Sequence, residues 1–173
     1  QSTISGNANG GISLSAAQFD ITNSIIVKNG GATSAFGGLL LTLTNNGTRR
    51  FEFNTVAQNQ AMTGITPGVL CAAVATPITF ANSIVFDNGT TMQVEGNNCA
   101  WTHSDIGPVS LAGTGNINMN PMFVNAMQNN FHLMGGSPAV DTADPGASLI
   151  DDIDGDSRPQ GLRRDMGADE VRP

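Results

Sequence analysis

The sequence predicts an all-β fold, a right-handed parallel β-helix with a non-repetitive C-terminal cap. Three observations predict it: a recurring phrase, a turn-rich composition and the absence of helical periodicity. The phrase reads Ser2-Thr3-Ile4-Ser5-Gly6-Asn7, then Asn23-Ser24-Ile25-Ile26-Val27-Lys28-Asn29. It returns as Asn54-Thr55-Val56-Ala57-Gln58-Asn59 and Asn82-Ser83-Ile84-Val85-Phe86-Asp87-Asn88, with a faded copy at His103-Ser104-Asp105-Ile106. The closing asparagines are 22, 30 and 29 residues apart, a period that marks a solenoid. With 18 Asn, 21 Gly and 28 Ser plus Thr in 173 residues, the chain favours turns and strands over helix interiors. No stretch sustains a 3.6-residue period with caps, and a Leu-x-x-Leu-x-Leu pattern is absent, so helical and leucine-rich repeats are excluded.

The elements follow in order. Ile4, Ile26, Val56 and Val85 predict one inward aliphatic stack, with copies about 4.8 Å apart along the axis. Asn7, Asn29, Asn59 and Asn88 predict a structural ladder of side-chain amides at a turn. Gly10-Gly11-Ile12, Gly37-Gly38-Leu39 and Gly68-Val69-Leu70 place paired or single glycines before a second strand, where they are expected to supply the positive φ of a tight corner. Phe19-Asp20-Ile21, Phe51-Glu52-Phe53 and Ile78-Thr79-Phe80 alternate apolar and polar residues and predict a further strand per coil. Four or five coils are expected over residues 1–110, a last irregular coil over 111–140 and an acidic cap over 141–173. The cap is set apart by charge: nine acids and four bases, against five acids and three bases in residues 1–140.

The net charge of -7 repels a phosphate backbone, so nucleic acid is excluded as a partner. The longest apolar runs, such as Gly38-Leu39-Leu40-Leu41, are far short of the roughly 18–20 residues of a membrane helix, so no membrane span is expected. No signal peptide is visible at Gln1-Ser2-Thr3-Ile4, and the chain is expected to begin inside a longer protein. Its first coil would then expose strand edges, and end-to-end self-association through residues 1–26 is expected, with the cap preventing growth at the other end. Cys71 and Cys99 lie 28 residues apart, about one coil, and are expected to form a disulfide in an oxidising compartment; two buried thiols are the alternative.

The opening phrase resembles right-handed parallel β-helix repeat proteins of the bacterial cell surface. The end is more specific. Gly113-Thr114-Gly115-Asn116-Ile117-Asn118, Asn120-Pro121-Met122-Phe123-Val124, Gly136-Ser137-Pro138-Ala139-Val140-Asp141, Asp152-Ile153-Asp154-Gly155-Asp156-Ser157-Arg158-Pro159 and Asp165-Met166-Gly167-Ala168-Asp169-Glu170 follow in order. This succession resembles the C-terminal part of choice-of-anchor Q domain proteins. The resemblance implies a secreted or cell-surface location and a pectate-lyase-like solenoid. It implies no reaction, since similar β-helices include lyases, hydrolases, epimerases and adhesins.

Asp152, Asp154 and Asp156 alternate and could point oxygen ligands into a calcium loop. An EF-hand is excluded, because Ser157 stands where its glycine should be and Arg163 where its glutamate should be. The other reading of the tail is a network in which Arg158, Arg163 and Arg164 clamp Asp152, Asp154, Asp165, Asp169 and Glu170. No cofactor other than Ca²⁺ is suggested. Asp20 and Glu52 could stack as a carboxylate pair beside Arg49 and Arg50, but a solvated strand face is the commoner outcome. His103 is expected at the place of a ladder asparagine, His132 stands alone, and Trp101 is expected in core packing rather than as a sugar platform. Asn46-Gly47-Thr48 and Asn88-Gly89-Thr90 are glycosylation sequons. The functional expectation is a non-catalytic extracellular solenoid segment, structural, adhesive or polysaccharide-binding. The alternative is the C-terminal part of a carbohydrate-active enzyme whose catalytic coils lie upstream.

Overall fold

The computed structural model describes residues 1–15, 18–43, 47–89 and 92–172. The chain is all-β and winds as a parallel solenoid with three strands per coil. The first coil holds β1 (Ser2–Ser5), β2 (Ile12–Leu14) and β3 (Phe19–Thr22); the second holds β4 (Ser24–Val27), β5 (Leu39–Leu43) and β6 (Arg49–Glu52). The third holds β7 (Thr55–Ala57), β8 (Val69–Val74) and β9 (Ile78–Ala81); the fourth holds β10 (Ile84–Phe86), β11 (Val94–Gly96) and β12 (Cys99–Thr102). A fifth coil begins with β13 (Asp105–Gly107). Like strands stack in parallel, giving sheet A (β1-β4-β7-β10-β13), sheet B (β2-β5-β8-β11) and sheet C (β3-β6-β9-β12).

The register of sheet A aligns Ile4, Ile26, Val56, Val85 and Ile106, the predicted stack with one further member. From Ile26 onward these side chains are buried; Ile4 is half-buried against the same core. Sheet B adds Leu39, Leu41 and Val69, and sheet C adds Phe51, Phe80 and Trp101. The Phe80 ring lies 4.8 Å from Trp101, edge to face, and 4.9 Å from Phe51. Trp101 is thus a core residue and offers no exposed face to a sugar.

The asparagine ladder forms as expected. Nδ2 of Asn7 donates to Oδ1 of Asn29 (2.8 Å), Asn29 to Asn59 (3.0 Å) and Asn59 to Asn88 (2.8 Å). The same oxygens accept the backbone N–H one coil earlier, so each rung satisfies its own turn. The ladder ends on Gln93, whose Oε1 accepts from Asn88 Nδ2 at 2.9 Å. A second ladder was not legible as such. The backbone N–H of Ser24, Asn54, Ser83 and Ser104 donates to the side-chain oxygen of Asn54, Ser83, Ser104 and Asn116 in turn. Asn59→Ala removes the acceptor of Asn29 and the donor to Ile26 O, both buried. The expected loss is about 2–3 kcal/mol in urea unfolding, the cost of orphaned buried polar groups; a loss below ~1 kcal/mol would show that water replaces the rung.

The glycines act differently from the expectation. Gly10 has φ of +117°, but Gly11, Gly37, Gly38 and Gly68 do not have positive φ. Their reason is close approach: a Cβ on Gly68 would stand 2.2 Å from the Gln93 carbonyl oxygen, and one on Gly37 2.2 Å from that of Pro67. The left-handed corners are instead taken by other residues. Lys28, Gln58 and Asp87 turn the chain out of sheet A, and Asn23, Phe53, Asn82 and His103 turn it in, all with φ between +44° and +58°. His103 therefore belongs to the column of Asn23 and Asn82, not to the Asn7–Asn88 ladder.

Cys71 and Cys99 form the disulfide, with Cα atoms 6.5 Å apart. They sit on adjacent coils but on different sheets, because Cys71 pairs in register with Gly96 and Cys99 with Ile78. The bond therefore staples sheet B of one coil to sheet C of the next, beside the core. Reduction, or Cys71→Ala with Cys99→Ala, is expected to cost about 3 kcal/mol, read as a lowered denaturation midpoint.

After β13, Leu111 packs on the core of the last coil and Ile117 bridges Asp105 before the chain leaves the solenoid end. It folds back along the outer face of sheet A. β14 (Phe123–Asn125) and β15 (Asn130–Leu133) pair antiparallel around a 3₁₀ turn at Ala126–Gln128. Phe131 and Ala168 pack on Ile25, Val27 and Ala57; Leu133, Ala139, Ala143 and Met166 pack on Phe53 and Ile84. From β4 onward sheet A is buried on both faces, which is why Ser24-Ile25-Ile26-Val27 is buried throughout instead of alternating. The inward corner column is the docking rail: Asn82 Oδ1 accepts from Asp144 N, Asn23 Nδ2 donates to Asp151 O, and Gly167 N donates to Asn82 O. Gln1 Nε2 reaches Asp152 O, so the tail spans the solenoid back to its first coil. Described residues of 141–172 add no strand to the three sheets. They flank the solenoid instead of capping the far end, where Met92 and Val109 are 54% and 57% exposed beside Leu111.

Candidate functional site

Two features outside the core gather polar side chains: a groove along the outward corner of sheet A, and the acidic tail. The groove is built by the left-handed column. Because Lys28, Gln58 and Asp87 adopt positive φ, their side chains stand clear of the sheet above the asparagine ladder. With Gly30, Gln60 and Gly89 they enclose about 490 Å³ floored by Asn29 and Asn59. At Gln58 and Asp87 the groove meets a second hollow of about 550 Å³, walled by Phe86, Asn120, Met122, Phe123, Ala126 and Met134. Within the groove Gln58 Nε2 donates to Asp87 Oδ2 (3.2 Å), and Lys28 Nζ donates to Asn129 Oδ1 (2.7 Å) and Met127 O (3.1 Å). Lys28 thereby ties the solenoid to the hairpin. The composite surface has an amide-rich wall and an apolar wall, the pairing that receives a molecule with hydroxyls at its edge and carbon at its face.

In the tail, Asp152, Asp154 and Asp156 do not converge on one point. Asp152 is buried, and its Oδ1 accepts from the backbone N–H of Asp154 (2.9 Å) and Asp156 (2.8 Å). Its Oδ2 accepts from Glu170 N (3.0 Å). The alternating aspartates therefore build a loop around Asp152 in place of a cavity. Asp156 pairs with Arg172, and Asp154 Oδ2 lies 2.7 Å from His132 Nε2. His132, Asp154 and Asp169 each bring one ligand-type atom within 4.8 Å of the others, the one such group among the described residues. His132 stands alone in the sequence because these partners lie 22 and 37 positions along the chain.

Of the three arginines expected to clamp carboxylates, Arg158 does so. Its Nη1 donates to Glu170 Oε2 at 2.9 Å, with both side chains fully buried. Arg164 donates to Leu149 O, and the backbone N–H of Arg163 donates to Asp141 Oδ1. Burial pushes the Arg158 guanidinium below its ordinary range, against the pull of Glu170. Burial also raises Asp165 to about 6 although Asp141 N and Val171 N both donate to it.

Asp20 and Glu52 do not face each other. Asp20 is in register with Arg50 and forms a bidentate pair with it (2.9 and 2.7 Å), while Glu52 stands opposite Thr22. The strand registers are offset by two residues from the sequence alignment of the two phenylalanine runs. Burial pushes the Asp105 carboxyl up to about 7, and it has no exposed surface through which to meet a substrate. Asn88 is buried in the ladder, so its amide is not available for glycosylation in the folded chain; Asn46 lies outside the described residues. No helix among the described residues is long and apolar enough to cross a membrane. No family model matches the chain, and no curated protein matches it.

Proposed function

We propose that the chain is a non-catalytic, extracellular β-solenoid segment of a longer surface or secreted protein, and that the groove over Gln58 and Asp87 binds a neutral polysaccharide. The observation that carries the reading is the amphipathic groove, in which exposed Gln60 and Asp87 adjoin Met122, Phe123 and Met134. It runs along the solenoid axis, so coil after coil presents a polar group at strand spacing, as a polymer of sugar units requires. The negative net charge disfavours an acidic polymer. The disulfide supports an oxidising compartment, and the sequence resemblance to choice-of-anchor Q domain proteins points to the same location.

Affinity electrophoresis in gels cast with neutral or acidic polysaccharides tests the binding. Retardation by a neutral polymer is expected, and Gln60→Ala with Asp87→Ala should weaken it about three- to tenfold, the worth of one or two hydrogen bonds. Unretarded migration in every gel would overturn the binding. New reducing ends or unsaturated products on incubation would overturn the non-catalytic reading in favour of an enzyme. We further propose end-to-end association through the first coil, supported by Ile4, Ile12, Leu14, Phe19 and Ile21, which line that coil half-buried. Concentration-dependent association in sedimentation is expected, and a clean monomer at high concentration would remove it.

A further inference from the structure

We propose that His132, Asp154 and Asp169 form a site for one divalent transition-metal ion, zinc in type, which locks the β14–β15 hairpin to the tail. The three residues come from separate segments: His132 from β15, Asp154 from the loop wound around Asp152, and Asp169 from the stretch that packs on sheet A. One ligand atom from each lies within 4.8 Å of the other two.

The second observation is the way His132 is held. Its Nδ1 faces Asn130 Oδ1 at 2.6 Å. That amide cannot be turned round without loss, because the same oxygen accepts the His132 backbone N–H at 3.2 Å. Nδ1 is therefore the donor to Asn130, and Nε2, which shares a proton with Asp154 Oδ2 at 2.7 Å, offers its lone pair to a metal ion once that proton is displaced. An oxygen that fixes the far ring nitrogen is the usual support of a metal-bound imidazole. Asp169 is held in the same manner: Leu133 N donates to its Oδ2 at 2.7 Å, which fixes the carboxylate beside the ring.

The donor set selects the metal. Calcium needs six to eight oxygen ligands, and an imidazole nitrogen is a poor one. One imidazole and two carboxylates suit zinc and its neighbours, with a fourth position left for water. Ligand atoms around tetrahedral zinc are about 3.3 Å apart when the bonds are about 2.0 Å long. His132 Nε2 and Asp154 Oδ2, now at 2.7 Å, must part by a few tenths of an ångström, and their side chains, 39% and 53% exposed, are free to do so. The competing account is a plain His132–Asp154 ion pair, which needs no metal.

The full chain without a polyhistidine tag should be titrated with zinc chloride by calorimetry, and its melting followed with zinc, with calcium and with chelator. One equivalent of zinc is expected to bind and raise the melting temperature, while millimolar calcium does neither. His132→Ala and Asp154→Asn should each abolish saturable binding; Asn130→Ala should weaken it about tenfold by freeing the ring. Cobalt should give a four- or five-coordinate visible spectrum that is absent from His132→Ala. Both substituted ligands are partly exposed, so the variants are expected to fold, and circular dichroism checks this. Absence of one-equivalent binding, or binding unchanged in His132→Ala, would overturn the site and leave the ion pair.

Discussion

Arg158→Met is expected to destabilise the protein by about 3–5 kcal/mol, the cost of leaving a buried carboxylate without its partner. The argument rests on how many groups depend on this one guanidinium. Nη1 donates to Glu170 Oε2 (2.9 Å) and Asp165 O (3.1 Å), Nη2 to Gly167 O (2.8 Å), and Nε to Asp151 O (3.1 Å). The cation also lies 4.7 Å from the ring centre of Phe53, at the corner where the column otherwise carries Asn23 and Asn82. Two stretches of the tail, at Asp151 and at Asp165–Glu170, and one coil thus meet at a single side chain. Replacing Arg158 and Glu170 together by apolar residues should not restore stability, because the carbonyl oxygens of Asp165 and Gly167 and the Gln160 and Asp165 amides would stay unpaired. Urea unfolding gives the size of the loss. Limited proteolysis at Arg163 and Arg164 tells a loosened tail from global unfolding. A change under 1 kcal/mol in both variants would show that water takes over the hub.

The solenoid was legible because its signals repeat. Each coil writes the same inward aliphatic and the same turn asparagine, so stacking follows from alignment alone. Corners were less legible. Glycine was read for its dihedral freedom, but at Gly37 and Gly68 it answers to a carbonyl oxygen one coil away, which no local pattern reveals. Asn54 was aligned with Asn23 and Asn82 by residue type, yet the register gives that place to Phe53 and sets Asn54 in the serine ladder. The tail was the least legible part. Its acids are spaced like metal ligands, but Asp152 satisfies three backbone amides, and only the folded path reveals which carboxylates remain. The apolar outer residues Ile25, Val27 and Ile84 were the missed clue: a strand buried on both faces announces a second layer.

That second layer explains why the molecule should lose stability as pH rises. Asp105 stands in the outer column of sheet A, in register with Ile84, beneath the segment that includes Ile117 and Met119. Its Oδ1 accepts from Met119 N at 3.1 Å, while Oδ2 is buried with no partner. Burial raises its folded value to about 7, against about 3.9 in an unfolded chain. Below about pH 4 the group is protonated in both states and contributes no slope. Between about pH 4 and 7 the unfolded chain releases its proton while the folded one keeps it, so the unfolded state gains and stability falls. Above about 7 the loss is complete, on the order of 4 kcal/mol. Asp165, Asp169 and Glu52 are raised by burial too and steepen the fall in the same direction. Asp105→Asn retains the acceptor for Met119 N but buries an amide nitrogen where Oδ2 had no partner. The variant should therefore be the weaker protein near pH 4.5 and the stronger one near pH 8. Melting curves across that range are expected to cross, and parallel curves would show that Asp105 ionises in the folded state as it does in water.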